Sequence, residues 1–248
     1  MTTSILQPTL IDPQDRQQAL FTLLLPGSNR KQASRFEAFA AQQRIGLDLL
    51  WGVRDETGRI ESCVLCVPAA GRTAMLFASP TVHEVQIPLR ARLIDHALQA
   101  LKSEDIDLVQ ALLPCEDALG SASHREGGLR FLAELVYMEL SLPRMRQSTP
   151  LPDGVDLVPI TTSELPELAR VLKASYVETQ DCPELGGLRR IDDIIEGHGA
   201  VGTVEPGGWM LLRVHGSFEG AILVNQASDG RGHELVYLGL SREVRGNG

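Results

Sequence analysis

Leu238-Gly239-Leu240-Ser241-Arg242-Glu243-Val244-Arg245-Gly246-Asn247-Gly248 is the stretch on which the fold turns. Strand-like residues, His233 to Leu240, lead into a short polar turn and then into Arg245-Gly246-Asn247-Gly248. Glycine lacks a Cβ, so the backbone there can approach a ligand closely. Successive amides in such a loop point inward and make an anion nest. A helix that follows adds the pull of its N-terminal dipole, and Arg245 adds a fixed positive charge. Strand, glycine loop and helix together suit a pyrophosphate. The competing reading is local: Asn-Gly is the strongest two-residue hairpin signal, so Asn247-Gly248 alone also reads as a type I′ turn.

Working back from this loop, the chain reads as strands at Trp209–Val214, Phe218–Asn225 and His233–Leu240. Before them come a strand at Val155–Ile160, a helix capped by Thr162 or Ser163 and running to about Tyr176, a loop over Gln180–Gly187, and a helix over Leu188–His198. The first half has the same order. Asp12-Pro13 starts a helix to about Leu25, and Ser28 caps a second to about Arg44. An antiparallel meander follows, over Leu47–Arg54, Ile60–Val67 and Thr73–Ser79. Leu89, Leu93, Ile94, Ala97, Leu98 and Leu101 then recur at helical spacing, predicting a helix over Pro88–Lys102. A buried strand at Asp107–Leu113, a short helix from Cys115 to about Arg125 and a final strand at Leu129–Leu142 complete that half.

Residues 144–154, polar with two prolines, read as a linker between a domain at 1–143 and a second at 155–248. By analogy with Pro88–Leu142, the second copy is expected to continue for about 55 further residues, which its two packed layers need. The identical tetrapeptides Glu134-Leu-Val-Tyr137 and Glu234-Leu-Val-Tyr237 sit in different contexts and read as a chance match.

Two helices, a three-strand meander and then Arg-Gly-x-Gly resemble the GNAT acyltransferase superfamily, which uses acyl-CoA. Its loop reads Arg/Gln-x-x-Gly-x-Gly/Ala, and Arg245, Gly246, Asn247 and Gly248 are read onto its first four places. In the first copy the corresponding place is Gln86-Ile87-Pro88-Leu89-Arg90-Ala91. There Leu89 replaces the central glycine and Pro88 removes an amide donor, which spoils an anion nest. The fold class implied is α/β (α+β): tandem GNAT-like domains, each a mixed, mostly antiparallel sheet flanked by helices, the first degenerate and the second incomplete. Mycothiol synthase-like proteins are similar in this tandem architecture, and the similarity stops there.

The resemblance implies direct transfer of an acyl group, most simply acetyl from acetyl-CoA, to a small amine. Pantetheine would lie along Leu238, Gly239 and Leu240, with the pyrophosphate on Val244, Arg245, Gly246, Asn247 and Gly248. A backbone N–H near Leu238 would hold the thioester oxygen. Glu234, six residues before Leu240, is the candidate general base, where the histone-acetyltransferase branch carries a glutamate. Strand alternation puts Val236 and Leu238 on its face, a partly apolar surrounding of the kind that raises a carboxyl pKa; a solvated glutamate at a strand entrance is the bland reading. Tyr237 then faces the other way and reads as core. Asp181 and Glu184, in the loop between the two helices, are candidates to meet a cationic amine; Asp192 and Asp193 read as a solvated first turn. His198, between two glycines, reads as a helix C-cap, and His233 is kept in view beside Glu234. The alternative is a non-catalytic acyl-CoA-binding sensor. A third reading, a tandem aminoacyl transferase using charged tRNA, is set against the chain's charge.

That charge, -9 from 23 Lys+Arg against 32 Asp+Glu, disfavours phosphate backbones and anionic lipid, so neither nucleic-acid nor membrane partners are expected. No apolar run approaches the eighteen or so residues of a transmembrane helix, no secretory signal is legible, and a cytoplasmic location is the expectation. With Cys63, Cys66, Cys115 and Cys182 as its only cysteines, the chain has neither a disulfide scaffold nor a second Cys pair to complete a zinc site. Cys63 and Cys66 lie three apart in a strand and so point to opposite faces, as buried thiols. Direct transfer needs no nucleophile, which removes Cys182. No metal is expected, and no G-x-S-x-G, H-E-x-x-H or P-loop lysine motif is present.

Overall fold

The computed structural model describes residues 7–23, 30–42, 45–141 and 150–246. The chain divides into two compact units, Met1–Phe131 and Leu132–Gly248.

The first unit is a five-stranded sheet with helices on both faces. Strands β1 (Thr9–Leu10), β2 (Leu50–Arg54), β3 (Ile60–Ala69), β4 (Thr73–Ala78) and β5 (Leu108–Gln110) lie in sequence order. All pairs are antiparallel except β4 with β5. Helices α1 (Arg16–Leu23) and α2 (Arg30–Gln42) cover one face, where Ala19, Leu20, Ala33 and Ala40 pack with Leu50, Ile60, Cys63 and Leu65. The other face, with Trp51, Val53, Val64, Cys66 and Leu76, takes the apolar stripe of α3 (Ile87–Leu101). Cys63 and Cys66 fall in different cores, as the spacing of three requires. Helix α4 (Ala118–Glu126) is capped by Asp117, whose carboxylate accepts from the Gly120 amide at 2.8 Å.

One expected element is absent. Residues 129–141 take no regular structure, and Phe131, Val136, Tyr137 and Met138 stand exposed. Alternating apolar residues make a strand only where a ladder partner is within reach. Here β5 is three residues long and, among the described residues, pairs only with β4.

The second unit is a four-stranded antiparallel sheet in the order β6 (Val155–Pro159), β7 (Thr203–Val214), β8 (Ser217–Gln226), β9 (His233–Leu240). Helices α5 (Leu165–Ser175) and α6 (Ile191–Ala200) pack with it around Leu168, Val171, Leu172, Trp209, Leu211, Ala221 and Leu223. The cap ahead of α5 is Thr161, one residue before the expected pair. The Glu164 carboxylate accepts from the Thr161 amide at 2.8 Å, closing a capping box. The α6 C-terminus is held from a distance: Asn225 on β8 is buried, and its Nδ2 donates to the carbonyls of His198 (2.8 Å) and Val201 (2.5 Å). Its Oδ1 accepts from Trp209 Nε1 at 2.6 Å. So His198 is not the cap; a strand residue is.

Candidate functional site

The site residues read from the sequence cluster on β9 and the turn after it. β9 is the edge of its sheet, paired with β8 on one side only among the described residues. Its free edge therefore offers N–H and C=O groups to an extended partner.

Side-chain alternation breaks in the middle of β9. Glu234 pairs with Asn225 and Leu235 with Val224, but Leu223 then pairs with Tyr237. Val236 is the extra residue of a β-bulge. Leu223 and Asn225 share a face, so Glu234 and Tyr237 share it too, while Leu235 and Leu238 turn outward, both exposed. This corrects the expected facing: Leu238 does not follow Glu234, and Tyr237 does not oppose it. Glu234 itself is exposed, and its carboxylate meets no hydrogen-bond or ion-pair partner among the described residues.

Tyr237 packs into the α5/α6 core, as its aromatic bulk predicts. The Ser175 hydroxyl donates to the Leu172 carbonyl at 2.7 Å, so the Tyr237 hydroxyl is the donor in its own short bond to Ser175 Oγ. The Tyr176 ring meets Tyr237 edge-on at 5.8 Å between centroids, and the His198 ring lies 5.4 Å away at 41°. Burial pushes the pKa of both tyrosines up, so both stay neutral donors. Burial, aided by the Arg189 guanidinium, holds the His198 imidazole below its usual pKa. Asp181 stands near enough for both tyrosine hydroxyls to feel its charge. It is exposed, as is Glu184 in the following 3-10 turn, Pro183–Leu185. His233 pairs with Glu205 at 3.0 Å, away from the tyrosines.

After β9, Ser241 is buried; its amide donates to the Glu219 carbonyl at 2.7 Å and its hydroxyl to the Glu219 carboxylate. A single 3-10 turn, Arg242–Val244, follows. Arg245 then reaches back. Its Nη2 donates to the Ser175 carbonyl at 2.6 Å, its Nη1 to the Val177 carbonyl at 3.0 Å, and its Nε to the Leu240 carbonyl at 3.1 Å. The charge that sequence reasoning gave to an anion is thus spent on the carbonyl end of α5, where a cation is favoured. Gly246 has φ +75°, a left-handed conformation suited to glycine, and a Cβ there would meet nothing within 4 Å. Asn247 and Gly248 lie outside the described residues.

The matching place in the first unit is closed by its own side chains. Gln86 turns back so that Oε1 accepts from the Val82 (2.9 Å) and His83 (3.2 Å) amides. Pro88 sits in the first turn of α3. Arg90, 5% exposed, donates from Nε to the Ser79 carbonyl at 2.8 Å. An open groove of about 390 Å³ in the second unit, lined by Thr161, Leu165, Glu205 and Trp209 among others, borders β6 and β7 rather than β9. Among the described residues no group of His, Cys, Asp and Glu is placed to hold a metal, and no helix is long and apolar enough to cross a membrane.

No family model matches the chain, and no curated protein does. Among solved structures it is similar to a GCN5-related N-acetyltransferase from Sphaerobacter thermophilus, with a TM-score of 0.54 at 9% identity over 99% of this chain and 79% of the other. A tandem GNAT protein from the clavulanic acid biosynthesis pathway matches over 97% of this chain and 81% of its own, at 16% identity and a TM-score of 0.38. An aminoglycoside 6′-N-acetyltransferase from Acinetobacter baumannii matches over 56% of this chain and 99% of its own, at 11% identity and a TM-score of 0.42. The first of these spans both units and fixes the fold. The chain has the GNAT fold in tandem, a mixed sheet in the first unit and an antiparallel one in the second.

Proposed function

We propose that the chain is an N-acyltransferase that moves an acyl group, acetyl in the simplest case, from acyl-CoA to a small amine. What carries the reading is β9: a bulged edge strand that runs straight into a turn ending in a left-handed glycine. The free edge at Leu238, Gly239 and Leu240 suits the amide-rich pantetheine arm. The turn from Val244 through Arg245 and Gly246 supplies backbone amides to the pyrophosphate, and the sequence assigns Asn247 and Gly248 to the same role. Arg245 contributes by holding the turn against α5, since its guanidinium already serves carbonyls. The bulge turns a backbone N–H near Leu238 toward the thioester oxygen.

Glu234, exposed and on the Tyr237 face, takes one proton from the acceptor ammonium. The amine nitrogen then bonds the thioester carbon, the carbon–sulfur bond breaks, and a second nitrogen proton goes to the sulfur. Asp181 and Glu184 attract the cationic acceptor. In this reading residues 155–248 form the working domain and residues 1–143, joined by a linker at 144–154, a copy that has lost its pyrophosphate loop; the location is cytoplasmic.

The test is acetylation of an amine panel by the 248-residue chain with acetyl-CoA, followed as thiol release. Turnover that falls by about 10²-fold or more in Glu234→Gln supports the reading. Acetyl-CoA binding without turnover, unchanged in that variant, would make the chain a sensor instead.

A further inference from the structure

The Ser175 side chain and carbonyl are used at once, on two different parts of the site. Its hydroxyl receives the Tyr237 phenol, one residue past the bulge. Its carbonyl receives Arg245 Nη2 at 2.6 Å, one residue before the left-handed Gly246. A bulge is a register defect, and a slip by one residue would throw Tyr237 to the outer face with Leu235. What resists that slip is the packing on Tyr237: the Ser175 hydroxyl, the Tyr176 ring, the His198 ring, and Gly239, where a Cβ would clash with the phenol oxygen. The outward residues Leu235 and Leu238 are exposed and offer no comparable anchor.

We infer that Ser175, at the C-terminal end of α5, is a positioning residue. Through Tyr237 it pins the β9 bulge, through Arg245 it pins the glycine turn, and so it sets the span between the thioester oxygen donor and the pyrophosphate amides. The inference rests on the acyl-CoA reading above. It assigns a role to a hydroxyl that touches neither substrate. His198 and Tyr176 act in it as walls for the Tyr237 ring, not as proton carriers.

The experiment uses the full chain and the variants Ser175→Ala, Tyr237→Phe and their double. Ser175→Ala removes the hydroxyl and keeps the carbonyl that Arg245 needs. Two readouts are taken: kcat and KM for acetyl-CoA, and amide exchange of residues 236–239 by NMR without ligand. Each single variant is expected to lower kcat by about ten-fold with KM for acetyl-CoA within about two-fold, because a misplaced donor costs rate rather than binding. The double variant should be no worse than Tyr237→Phe alone, since that change already removes the bond to Ser175 together with the one from the Tyr176 hydroxyl. Amide exchange at 236–239 should quicken in all three. His198→Phe, which keeps a ring against Tyr237, should retain the rate that His198→Ala loses.

Additive losses in the double variant, or unaltered exchange at 236–239, would overturn the inference. So would a loss of melting temperature with kcat unchanged, which marks a merely structural bond. If the wild-type chain transfers nothing while exchange still quickens in Ser175→Ala, the bond exists but the acyl-CoA reading fails, and the catalytic role of Ser175 with it.

Discussion

Arg245 and Ser175 are joined side chain to backbone at 2.6 Å, across seventy positions of sequence. The bond closes the carbonyl end of α5 with a cation and fixes the turn that follows β9. Neighbouring Arg242 makes a different kind of contact, an exposed ion pair with Glu178 at 2.8 Å.

The two arginines should therefore separate in mutagenesis. Arg245→Gln leaves several carbonyls without a charged donor and is expected to cost about 1.5–3 kcal/mol. Arg242→Gln is expected to cost less than about 1 kcal/mol, as exposed pairs do. Chemical denaturation of the two variants against wild type makes the comparison, and equal losses would contradict the assignment.

Gly239 leaves the space that the Tyr237 ring fills. Gly239→Ala should displace that ring and cost about 1–3 kcal/mol, as over-packing does. The same substitution at Gly246 meets no atom, so its penalty is conformational and comes only from φ +75°. Near-UV circular dichroism should report the tyrosine change for Gly239→Ala and not for Gly246→Ala.

Much of this was legible in the chain because it is local. Helix and strand order follows from apolar spacing, and the separation of Cys63 from Cys66 follows from strand alternation alone. What escaped depends on partners. The bulge at Val236 exists only in the pairing of β9 with β8, and it reverses the facing that alternation assigns to Tyr237. Asn225 caps α6 from a strand residue twenty-seven positions beyond His198, so nothing near the helix end signals it. Arg245 looked free because two of the carbonyls it serves, those of Ser175 and Val177, lie at the end of α5 and just past it, about seventy residues away in sequence. The 129–141 segment has a strand's composition but no ladder partner among the described residues. At the candidate site, the strand and the turn were readable, and the Ser175–Tyr237–Arg245 connection was not.

Cysteine chemistry should sort by burial. Desolvation pushes the Cys63 and Cys66 thiols up to about 12. At pH 8 roughly one part in 10⁴ of each is then thiolate, so both should resist alkylation in the native chain. Cys115 is exposed and Cys182 partly so, and both should label within minutes. Mass spectrometry after iodoacetamide treatment should find two modified cysteines natively and four in denaturant. Because these two pKa values are raised on folding, the unfolded chain loses its thiol protons first, and stability should decline as pH rises above about 8.5.

His198 should make the second unit acid-sensitive. Its folded pKa lies below the unfolded value of about 6.5, so as pH falls the unfolded chain binds the proton first. Stability is therefore lost on acidification, beginning near pH 7 and levelling off below the folded pKa. His198→Phe should flatten that part of the stability–pH curve. A curve unchanged by the substitution would mean the ring is not held neutral by its burial.

Isothermal titration of acetyl-CoA into the 248-residue chain is the most direct test of β9 and its turn as an acyl-CoA strand. The account predicts one binding site per chain, lost in Gly246→Glu, where a carboxylate and a strained backbone enter the turn, and retained in Arg90→Met in the first unit. Absence of binding at millimolar acetyl-CoA, or binding that survives Gly246→Glu and disappears in Arg90→Met, would contradict it.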